Sequence, residues 1–399
     1  MDPLATSRTS ALDTLHVEPL PANMSPGCRG KPAGQNRMNN TSFSQFAARL
    51  REFIRISSGQ RASPSTFGQL AMELFELQVR HNVAYRRICQ ARGFKPTHWE
   101  EVPPIPTSAF KEFDITCLAP EDRTAVFHSS GTTEQRPSRH FHSAESLRIY
   151  EESVSAAIPD FLRAGGNNGK HKQLLILSPN LDQAPHSSLV RMFHVYRREF
   201  GPAHSQFAGS VAEDGAWSMD LPECLAVFRE VIAENRALLM LGTAFSYVHL
   251  LDYLDSTRLF FQLPPGSLAL ETGGYKGRSR SLPKSELHEL LDQRLGIPRQ
   301  RIFCEYGMSE LSSQAYDSPA TDSRLFRFPP WARALVVSPE TGREVAEGET
   351  GLLRVFDLAN VFSAMAVQTE DLAVRHPDGF ELIGRAQLTE PRGCSLMPA

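Results

Sequence analysis

The spacing of apolar residues changes along the chain, and each spacing predicts a different kind of element. Apolar residues recur at helical intervals within residues 42–56 and again over residues 66–91. From residue 143 to residue 306, short continuous apolar runs alternate with segments of helical spacing. Buried strands that alternate with helices are typical of a largely parallel sheet covered on both faces. The pattern therefore predicts an α/β core over residues 41–330.

The strands predicted for this core are short and centred on continuous apolar runs: residues 174–177, 237–241, 267–270 and 301–306. The helices predicted to flank them are residues 143–158, 187–198, 222–235, 245–254 and 283–295. Ser143 is suited to cap the first of these helices, although Ser146 stands where a capping box usually has Glu.

The pattern changes from about residue 331, where short strands are separated by turns. The predicted strands are residues 333–338, 352–357, 373–376 and 380–383, with turn residues at 339–342 and 377–379. They indicate a small, mostly antiparallel β subdomain over residues 331–388. Residues 1–40 are rich in Pro, Ser, Asn and Gly and predict a disordered tail, and residues 389–399 predict a flexible C-terminal tail.

Composition excludes several function classes. The 42 basic and 45 acidic residues give a net charge of −3, and no long basic run offers a surface for nucleic acid or an anionic membrane. No apolar stretch reaches the roughly 18 residues of a membrane span, and the N-terminus lacks a secretory pattern. We therefore expect a cytoplasmic protein without an integral membrane span.

The six cysteines are scattered, with no Cys-x-x-Cys pair, so the sequence indicates neither a zinc site nor a disulfide framework. Cys89 falls in a predicted helix and Cys304 in a buried strand, where packing accounts for both. His288 and Glu289 imitate the start of a zinc-protease motif, but Asp292 replaces its second histidine. We interpret that segment as a packed helix.

A hydroxyl-rich segment that follows the apolar residues 125–127 is the first candidate for ligand binding. Hydroxyl and backbone N–H donors that can approach closely, together with mobile positive charge, are what a triphosphate requires. Arg136 and Arg139 supply the charge, although a polar surface turn has a similar composition. The candidate phosphate donors are Ser129, Ser130, Gly131, Thr132 and Thr133.

Two strand ends are further candidates, because ligands of α/β folds bind outside the carboxyl ends of the strands. One is residues 271–274, which ends in Gly273 and Gly274. The other is residues 304–310, in which Tyr306 can cover a nucleobase, Ser309 can hold a phosphate and Glu310 can ligate magnesium.

In this order, the hydroxyl-rich loop, the Gly-Gly pair and the Tyr-Gly-Met-Ser-Glu segment (306–310) resemble the adenylate-forming enzymes. That superfamily comprises acyl-CoA synthetases, peptide-synthetase adenylation domains and luciferases. The segment 369–371, Thr-Glu-Asp, is similar to its Thr-Gly-Asp, and Gly384–Arg385 is similar to the Gly-Arg that ends its large domain. The resemblance implies the large domain of that fold and ATP with Mg²⁺ as cofactors.

The end of the sequence narrows the resemblance. Adenylate-forming enzymes usually continue into a mobile domain with a catalytic lysine, but fourteen residues follow Arg385 here and the last lysine is Lys284. A domain needs about 50 residues. The segment 392–396, Arg-Gly-Cys-Ser-Leu, resembles the tail of acyl-protein synthetases, the LuxE-type subunits of fatty acid reductase complexes. That family activates a fatty acid as its adenylate, passes the acyl group to its own cysteine, here Cys394, and delivers it to a partner reductase that makes aldehyde.

The resemblance also implies roles for individual residues. Ser129, Ser130, Thr132 and Thr133, with Gly131, would hold the β- and γ-phosphates, Arg139 would be the counter-charge, and Glu310 would bind magnesium. The adenine would be framed by Gly273, Gly274 and Tyr306, a phosphate would be held by Ser309, and the ribose would be held by Asp371 and Arg385. Gly307 would also belong to the cofactor-binding residues. Glu134 and Glu370 depart from the superfamily, which usually has glycine at both positions, and Ser138 and Arg139 stand where many members have lysine.

Two alternatives remain open at this point. In one, the chain is an acyl-AMP ligase that delivers to coenzyme A or a carrier protein, and Cys394 is idle. In the other, it is a degenerate adenylate-binding subunit that only scaffolds a partner reductase, and Glu134 and Glu370 favour this possibility.

Overall fold

A computed structural model describes residues 33–57, 64–93, 95–129, 136–163, 172–213, 215–273, 282–317 and 324–386. The chain divides into two units, Met1–Thr41 and Ser42–Ala399, and apart from the start of the first helix the elements discussed below belong to the second. The helices are α1 (Ala33–Ser57), α2 (Pro64–His81), α3 (Val83–Arg92), α4 (Ala109–Glu112), α5 (Ala144–Ala157), α6 (Asp160–Arg163), α7 (Ser188–Phe200), α8 (Leu221–Ala233), α9 (Ala244–Ser256) and α10 (Lys284–Leu295).

The strands are β1 (Ile105–Pro106), β2 (Ala125–His128), β3 (Arg139–His142), β4 (Gln173–Ile176), β5 (Ser205–Phe207), β6 (Gly209–Val211), β7 (Trp217–Met219), β8 (Leu238–Thr243), β9 (Leu268–Thr272), β10 (Ile302–Tyr306), β11 (Ala315–Tyr316), β12 (Ala332–Val337), β13 (Thr350–Asp357), β14 (Ala366–His376) and β15 (Gly379–Arg385). They form two larger sheets and two hairpins.

The sheet of the α/β core has six strands in the order β11-β10-β9-β8-β4-β5. All neighbours are parallel except β11, which runs antiparallel to β10 at its edge. The four strands predicted from apolar runs are its centre, so the predicted α/β class with a mainly parallel sheet is confirmed.

Helices cover both faces of this sheet because alternate residues of each strand point to opposite sides. On β4, Leu174 and Ile176 join a core with residues of α5 and α7, whereas Leu175 joins a second core with residues of α8, α9 and α10. This two-sided burial explains why these strands contain continuous apolar runs instead of alternating apolar and polar residues.

The second sheet consists of β12 to β15 in antiparallel pairs, with β1 added parallel to the beginning of β14. It shares a hydrophobic core with α1, α2 and α3 around the fully buried Trp331 and Phe356. The antiparallel strands after residue 331 thus match the prediction in type. Strand β1, at residues 105–106, also belongs to this sheet, although it precedes the other four strands by more than two hundred positions.

Two helical boundaries differ from the prediction. The first helix begins at Ala33 rather than at residue 42, so that residues 33–40, assigned to a disordered tail, are helical. The segment 66–91 is two helices, because Asn82 leaves the helical conformation and its Oδ1 accepts from Tyr85 N (3.0 Å) as the cap of α3. The remainder of the tail, residues 1–32, lies outside the described residues.

Two local features were not predicted. Ser146 takes the place of Glu in the capping box of α5, since its Oγ accepts from Ser143 N (2.8 Å) while Ser143 Oγ accepts from Ser146 N (3.2 Å). Strand β3 pairs with β2 as an antiparallel hairpin and carries His140 and His142, both buried. In the described part of the chain, no helix is both long and apolar enough to cross a membrane.

Candidate active site

The carboxyl edge of the six-stranded sheet carries the candidate site. In this sheet β5 lies on one side of β4 and β8 lies on the other. The chain connections that follow the neighbouring strands β4 and β8 therefore run in opposite directions. Such switch points open a crevice at the carboxyl ends of the strands. The β2–β3 hairpin lies at this edge, where His128 N donates to His186 O (2.9 Å) in the loop after β4.

The hydroxyl-rich segment connects the two strands of this hairpin. Ser129 Oγ accepts from Ser138 N (2.9 Å), which holds the base of the connection closed. Ser130, Gly131, Thr132, Thr133, Glu134 and Gln135 lie outside the described residues. The hairpin therefore positions both ends of the segment in which the phosphate donors were predicted.

Arg139 follows the segment directly and is held from two sides. Its Nη2 lies 3.1 Å from Asp114 Oδ1, and Asp114 also accepts from Arg123 (2.8 Å). The Arg139 guanidinium lies 5.8 Å from the centre of the Phe141 ring. Arg139 Nε is buried and has no hydrogen-bond partner among the described residues, so one donor of this cation is unused.

The hairpin meets the Tyr-Gly-Met-Ser-Glu segment at Ser309. Ser138 Oγ and Ser309 Oγ are 3.4 Å apart, and His140 Nδ1 lies 2.9 Å from Ser309 O. Ser309 Oγ donates in turn to Glu310 Oε2 (3.0 Å). Burial lowers the pKa of His140 to about 4, against the effect of its contact with Ser309 O, so this histidine is neutral at pH 7.

The turn after Glu310 is anchored by Asp357, a residue that the sequence analysis missed. Asp357 is fully buried at the end of β13 and accepts from Ser312 N, from Ser313 N (both 2.8 Å) and from Ser313 Oγ (2.6 Å). Asn360 Nδ2 donates to Glu310 O (2.9 Å). Burial raises the pKa of Asp357, and the hydrogen bonds that it accepts oppose that shift.

Tyr306 connects this segment to the late motifs, which are Thr-Glu-Asp at 369–371 and Gly-Arg at 384–385. Tyr306 Oη donates to Asp371 Oδ2 (2.8 Å), and Arg385 Nε lies 3.5 Å from Asp371 Oδ1. Asp371 and Arg385 are partners in the β14–β15 ladder, which explains their proximity. Burial raises the pKa of Asp371. The Arg385 side chain is 80% exposed, so it remains accessible from solvent.

The glycines of the candidate adenine site differ in their surroundings. Gly273 has a positive φ of 63° at an exposed position, and Gly274 lies outside the described residues. At Gly307 an added Cβ would lie 2.4 Å from Oε1 of the buried Glu305, so a larger residue would displace that carboxyl. Burial raises the pKa of Glu305 to about 7, while a hydrogen bond from Thr272 Oγ1 opposes that shift.

The structure thus brings together most of the described candidates. Hydrogen bonds or ion pairs connect Ser129 to Ser138, Ser138 to Ser309, Ser309 to Glu310, and Tyr306 to Asp371 and Arg385. Arg139 is instead paired with Asp114. Cys394 lies outside the described residues.

The sequence matches the model of one protein family over most of its length. Residues 57–398 match the model described as acyl-protein synthetase, LuxE. The chain belongs to the acyl-protein synthetase family. The predicted resemblance is confirmed, and the protein is a ligase of the adenylate-forming type.

Two curated relatives have the same name, long-chain-fatty-acid–luciferin-component ligase. The relative from Aliivibrio fischeri is 23% identical over 351 residues, which are 83% of this chain and 87% of the relative. The relative from Vibrio harveyi is 21% identical over 346 residues, 82% of this chain and 86% of the relative.

Solved structures with a similar fold include 2-hydroxyisobutyryl-CoA ligase. Its open conformation, in complex with 2-HIB-AMP and CoA, has a TM-score of 0.57 and 14% identity over 82% of this chain and 76% of that chain. Its postadenylation state has a TM-score of 0.58 and 14% identity over 82% of this chain and 69% of that chain. At this identity the similarity concerns the fold, and it supports the adenylate-forming architecture of this acyl-protein synthetase.

The acyl-protein synthetase site also has a donor suited to magnesium. Mg²⁺ prefers carboxylate oxygens and is bound through one or two carboxylates together with substrate phosphates. Glu310 is buried next to the hydroxyl of Ser309, and its Oε2 accepts only the Ser309 hydroxyl among the contacts described above. The donor set therefore fits the ion.

Sequence reasoning missed the residues that hold this arrangement together. Asp114, Asp357 and Asn360 act on the site only through contacts that the fold creates. No motif marks them, because their partners lie between 25 and 50 positions away in the chain. His140 carried a weaker signal, as a histidine directly after the hydroxyl-rich segment.

Proposed function

We propose that this acyl-protein synthetase uses ATP to activate a long-chain fatty acid as its acyl adenylate and transfers the acyl group to its own Cys394. A partner acyl reductase would then collect the acyl group and reduce it to the aldehyde. Family membership and the names of the two curated relatives support the substrate class.

The first half-reaction forms acyl-AMP. An oxygen of the fatty carboxylate attacks the α-phosphorus of ATP, the bond from that phosphorus to the bridging oxygen breaks, and pyrophosphate leaves. The protein orients the reactants and offsets the charge that develops. Ser129 to Thr133 would bind the β- and γ-phosphates, and Arg139 would turn its unused Nε donor toward them. A magnesium ion on Glu310 would neutralise phosphate charge.

In the same half-reaction, the adenosine would lie along the carboxyl ends of β9 and β10. Gly273, Gly274, Tyr306 and Gly307 would frame the adenine, and Asp371 with Arg385 would hold the ribose hydroxyls. Ser309 would contact a phosphate oxygen. The hydrogen bond between Tyr306 and Asp371 would keep the adenine and ribose contacts in a fixed relation.

The second half-reaction transfers the acyl group. The Cys394 thiolate attacks the carbonyl carbon of acyl-AMP, the bond from that carbon to the phosphate oxygen breaks, and AMP leaves while a thioester forms. A free thiol has a pKa of about 8.5, and Arg392 would favour the thiolate. Gly393 would help the tail to move between the adenylation site and the reductase.

One observation carries the proposal more than any other. The β2–β3 hairpin, which bears the hydroxyl-rich segment, touches Ser309 directly, while Tyr306 of the same strand end binds Asp371. Residues proposed for phosphate, base and ribose thus meet where the β2–β3 hairpin and the second sheet contact the carboxyl end of β10, which supports an adenylate-forming reaction.

The test is self-acylation with a labelled long-chain fatty acid, ATP and Mg²⁺. We expect label that survives denaturation and that neutral hydroxylamine releases, as it releases a thioester. Cys394→Ser should lose the label but keep ATP–pyrophosphate exchange that depends on the fatty acid, and Cys28→Ser should keep both. Label that remains on Cys394→Ser would contradict self-acylation at this residue.

The same assays separate the alternatives. Free acyl-CoA formed on addition of coenzyme A, with unlabelled protein, would mean that the acceptor is coenzyme A. Exchange that is absent from the wild-type protein would mean a degenerate scaffold subunit. Addition of a fatty acyl reductase together with its hydride donor should discharge the label from Cys394 as aldehyde, and label that stays on the protein would contradict that partner.

A further inference from the structure

Three buried side chains with metal-ligating atoms meet beside the six-stranded sheet, between β9, β10 and α10. Glu271 comes from β9, His288 from α10 and Cys304 from β10, and all three are at most 5% exposed. His288 Nε2 lies 2.7 Å from Glu271 Oε2, and the Cys304 thiol donates to the same oxygen (3.7 Å). One ligand atom of each residue lies within 4.8 Å of the other two.

This spacing is close to what a tetrahedral zinc ion requires. Zinc binds sulfur at about 2.3 Å and nitrogen or oxygen at about 2.0 to 2.2 Å, so its ligand atoms are about 3.3 to 3.7 Å from one another. Small changes in side-chain torsion suffice, because the Glu271 and His288 atoms must separate slightly and the others approach. Thiolate, imidazole and carboxylate are also the ligand types that zinc prefers.

Two cations, Arg324 and Lys284, lie near the Cys304 sulfur, and each also has another partner. Arg324 Nη1 lies 3.7 Å from Cys304 Sγ, but it also donates to Asp317 Oδ2 and to Ile302 O (both 2.9 Å). Lys284 also interacts with Cys304, but its Nζ lies 5.3 Å from the centre of the Phe326 ring, which gives this cation another partner. With a thiolate and a carboxylate as ligands, the two positive charges of zinc are balanced within the site.

We propose that Glu271, His288 and Cys304 form a Zn²⁺ site in which three protein ligands leave the fourth position to water. Binding replaces the S–H bond of Cys304 with a Zn–S bond, and the proton is released to solvent. The ion would join β9, α10 and β10 and so fasten both ends of the segment 272–287, which contains Gly273 and Gly274. The site would hold the adenine-facing segment in place without contacting the substrate.

The experiment measures metal content of the full-length chain. The protein is treated with EDTA, incubated with Zn²⁺, passed through a desalting column and analysed by mass spectrometry of the metal. We expect about one equivalent of zinc per chain, as for a three-residue site. Co²⁺ in place of Zn²⁺ should give a thiolate-to-metal charge-transfer band in the near ultraviolet.

Variants identify the ligands. Cys304→Ser and His288→Gln should each bind less than half as much zinc and lose the cobalt band, whereas Cys224→Ser, a buried cysteine on another helix, should retain both. The double variant Cys28→Ser/Cys394→Ser should also retain both, which excludes the thiols at the chain ends. If Cys304→Ser does not fold, two other measurements test the site. These are the zinc content of His288→Gln and the effect of Zn²⁺ on the Tm of the EDTA-treated wild-type protein.

Three results would overturn the proposal. These are wild-type protein that retains no zinc after desalting, equal zinc in His288→Gln and wild type, and a Tm that Zn²⁺ does not raise. Each would mean that Glu271, His288 and Cys304 form a hydrogen-bonded cluster only. Self-acylation does not enter this readout, so the metal site and the proposed function fail independently.

Discussion

At the scale of single residues, the hydrogen bond from Tyr306 to Asp371 has the most direct consequence for function. It is a charge-assisted bond between a buried phenol and a largely buried carboxylate, and such bonds contribute about 1.5 to 3 kcal/mol. In Tyr306→Phe the ring remains among Phe326, Phe328 and Phe380, but Asp371 loses the donor that orients it. The substitution therefore removes orientation while preserving the packing.

We expect Tyr306→Phe to raise the KM for ATP in pyrophosphate exchange by about tenfold, the equivalent of about 1.4 kcal/mol. The matched control is Tyr196→Phe, which removes a buried phenol that bonds to Tyr316 Oη (3.1 Å) away from the late motifs. The control should lose stability but keep its KM. Equal KM values in both variants and wild type would contradict a role of Asp371 in holding ATP.

His140 makes a prediction about pH. Its pKa is lowered from 6.5 to about 4 by burial, so below pH 6.5 the unfolded chain binds a proton that the folded protein does not. The contribution of the neutral ring to the free energy of unfolding is fully present above pH 6.5. It falls by about 3 kcal/mol at most as the pH drops toward 4. The pKa of His142, whose ring is tilted by 42° to that of His140 at 4.3 Å between centres, shifts in the same direction, whereas the raised pKa of Glu305 opposes both shifts.

Because several groups contribute, the test compares variants. Between pH 7 and pH 5, His140→Gln should lose less free energy of unfolding than the wild type, as measured by urea denaturation at each pH. His249→Gln, at an exposed position on α9, should follow the wild-type profile. Parallel profiles for all three proteins would show that His140 does not titrate in this window.

At the scale of elements, the turn between Glu310 and β11 depends on β13 for its conformation. Asp357 satisfies the backbone N–H groups of Ser312, Ser313 and Ala359 and has no exposed surface. In Asp357→Ala these donors are left buried without an acceptor, and each unsatisfied group costs about 1 to 3 kcal/mol. The turn would then no longer fix Glu310.

For Asp357→Ala we expect a loss of at least about 2 kcal/mol in the free energy of unfolding, measured in urea, and weaker magnesium dependence of pyrophosphate exchange. Asp122→Ala, at an exposed position shortly before β2, serves as the control and should change neither quantity. Unchanged magnesium dependence in a folded Asp357→Ala protein would separate Glu310 from this anchor.

The elements also show how far sequence reasoning reaches. The core strands β4, β8, β9 and β10 were predictable, because strands buried on both faces contain continuous apolar runs. Strand β3 was not, because its sequence Arg-His-Phe-His offers no apolar run, and its histidines are buried only through the hairpin with β2. The break at Asn82 was hidden because apolar spacing continues across it while the side chain caps the next helix.

The same limit applies to the candidate site. Tyr306, Ser309, Glu310, Asp371 and Arg385 could be selected from the sequence because each stands in a motif with its own chemistry. Contacts between residues that are far apart in the chain could not be predicted in this way. The pairing of Arg139 with Asp114 and the cluster of Glu271, His288 and Cys304 exist only after β3, β9, α10 and β10 have come together.

At the scale of the whole molecule, the described structure and the proposed acyl acceptor are separate parts of the chain. The last ladder pair joins Asp371 to Arg385, and Ala386 N donates to Glu370 O (2.8 Å), so the adenylation site is closed by contacts that precede residue 387. We therefore expect the residues proposed to bind ATP to keep their arrangement without the segment that bears Cys394. Adenylation and acyl transfer should be separable by truncation.

We expect a chain that ends at Leu388 to keep its Tm within a few degrees, to retain fatty-acid-dependent ATP–pyrophosphate exchange and to accept no label. Full-length Cys394→Ser is the matched control, because it removes the thiol and keeps the tail. If both proteins exchange equally, the tail serves only as acceptor. If truncation abolishes exchange while Cys394→Ser preserves it, the tail contributes to adenylation itself, and the separation inferred from the Asp371–Arg385 contact is wrong.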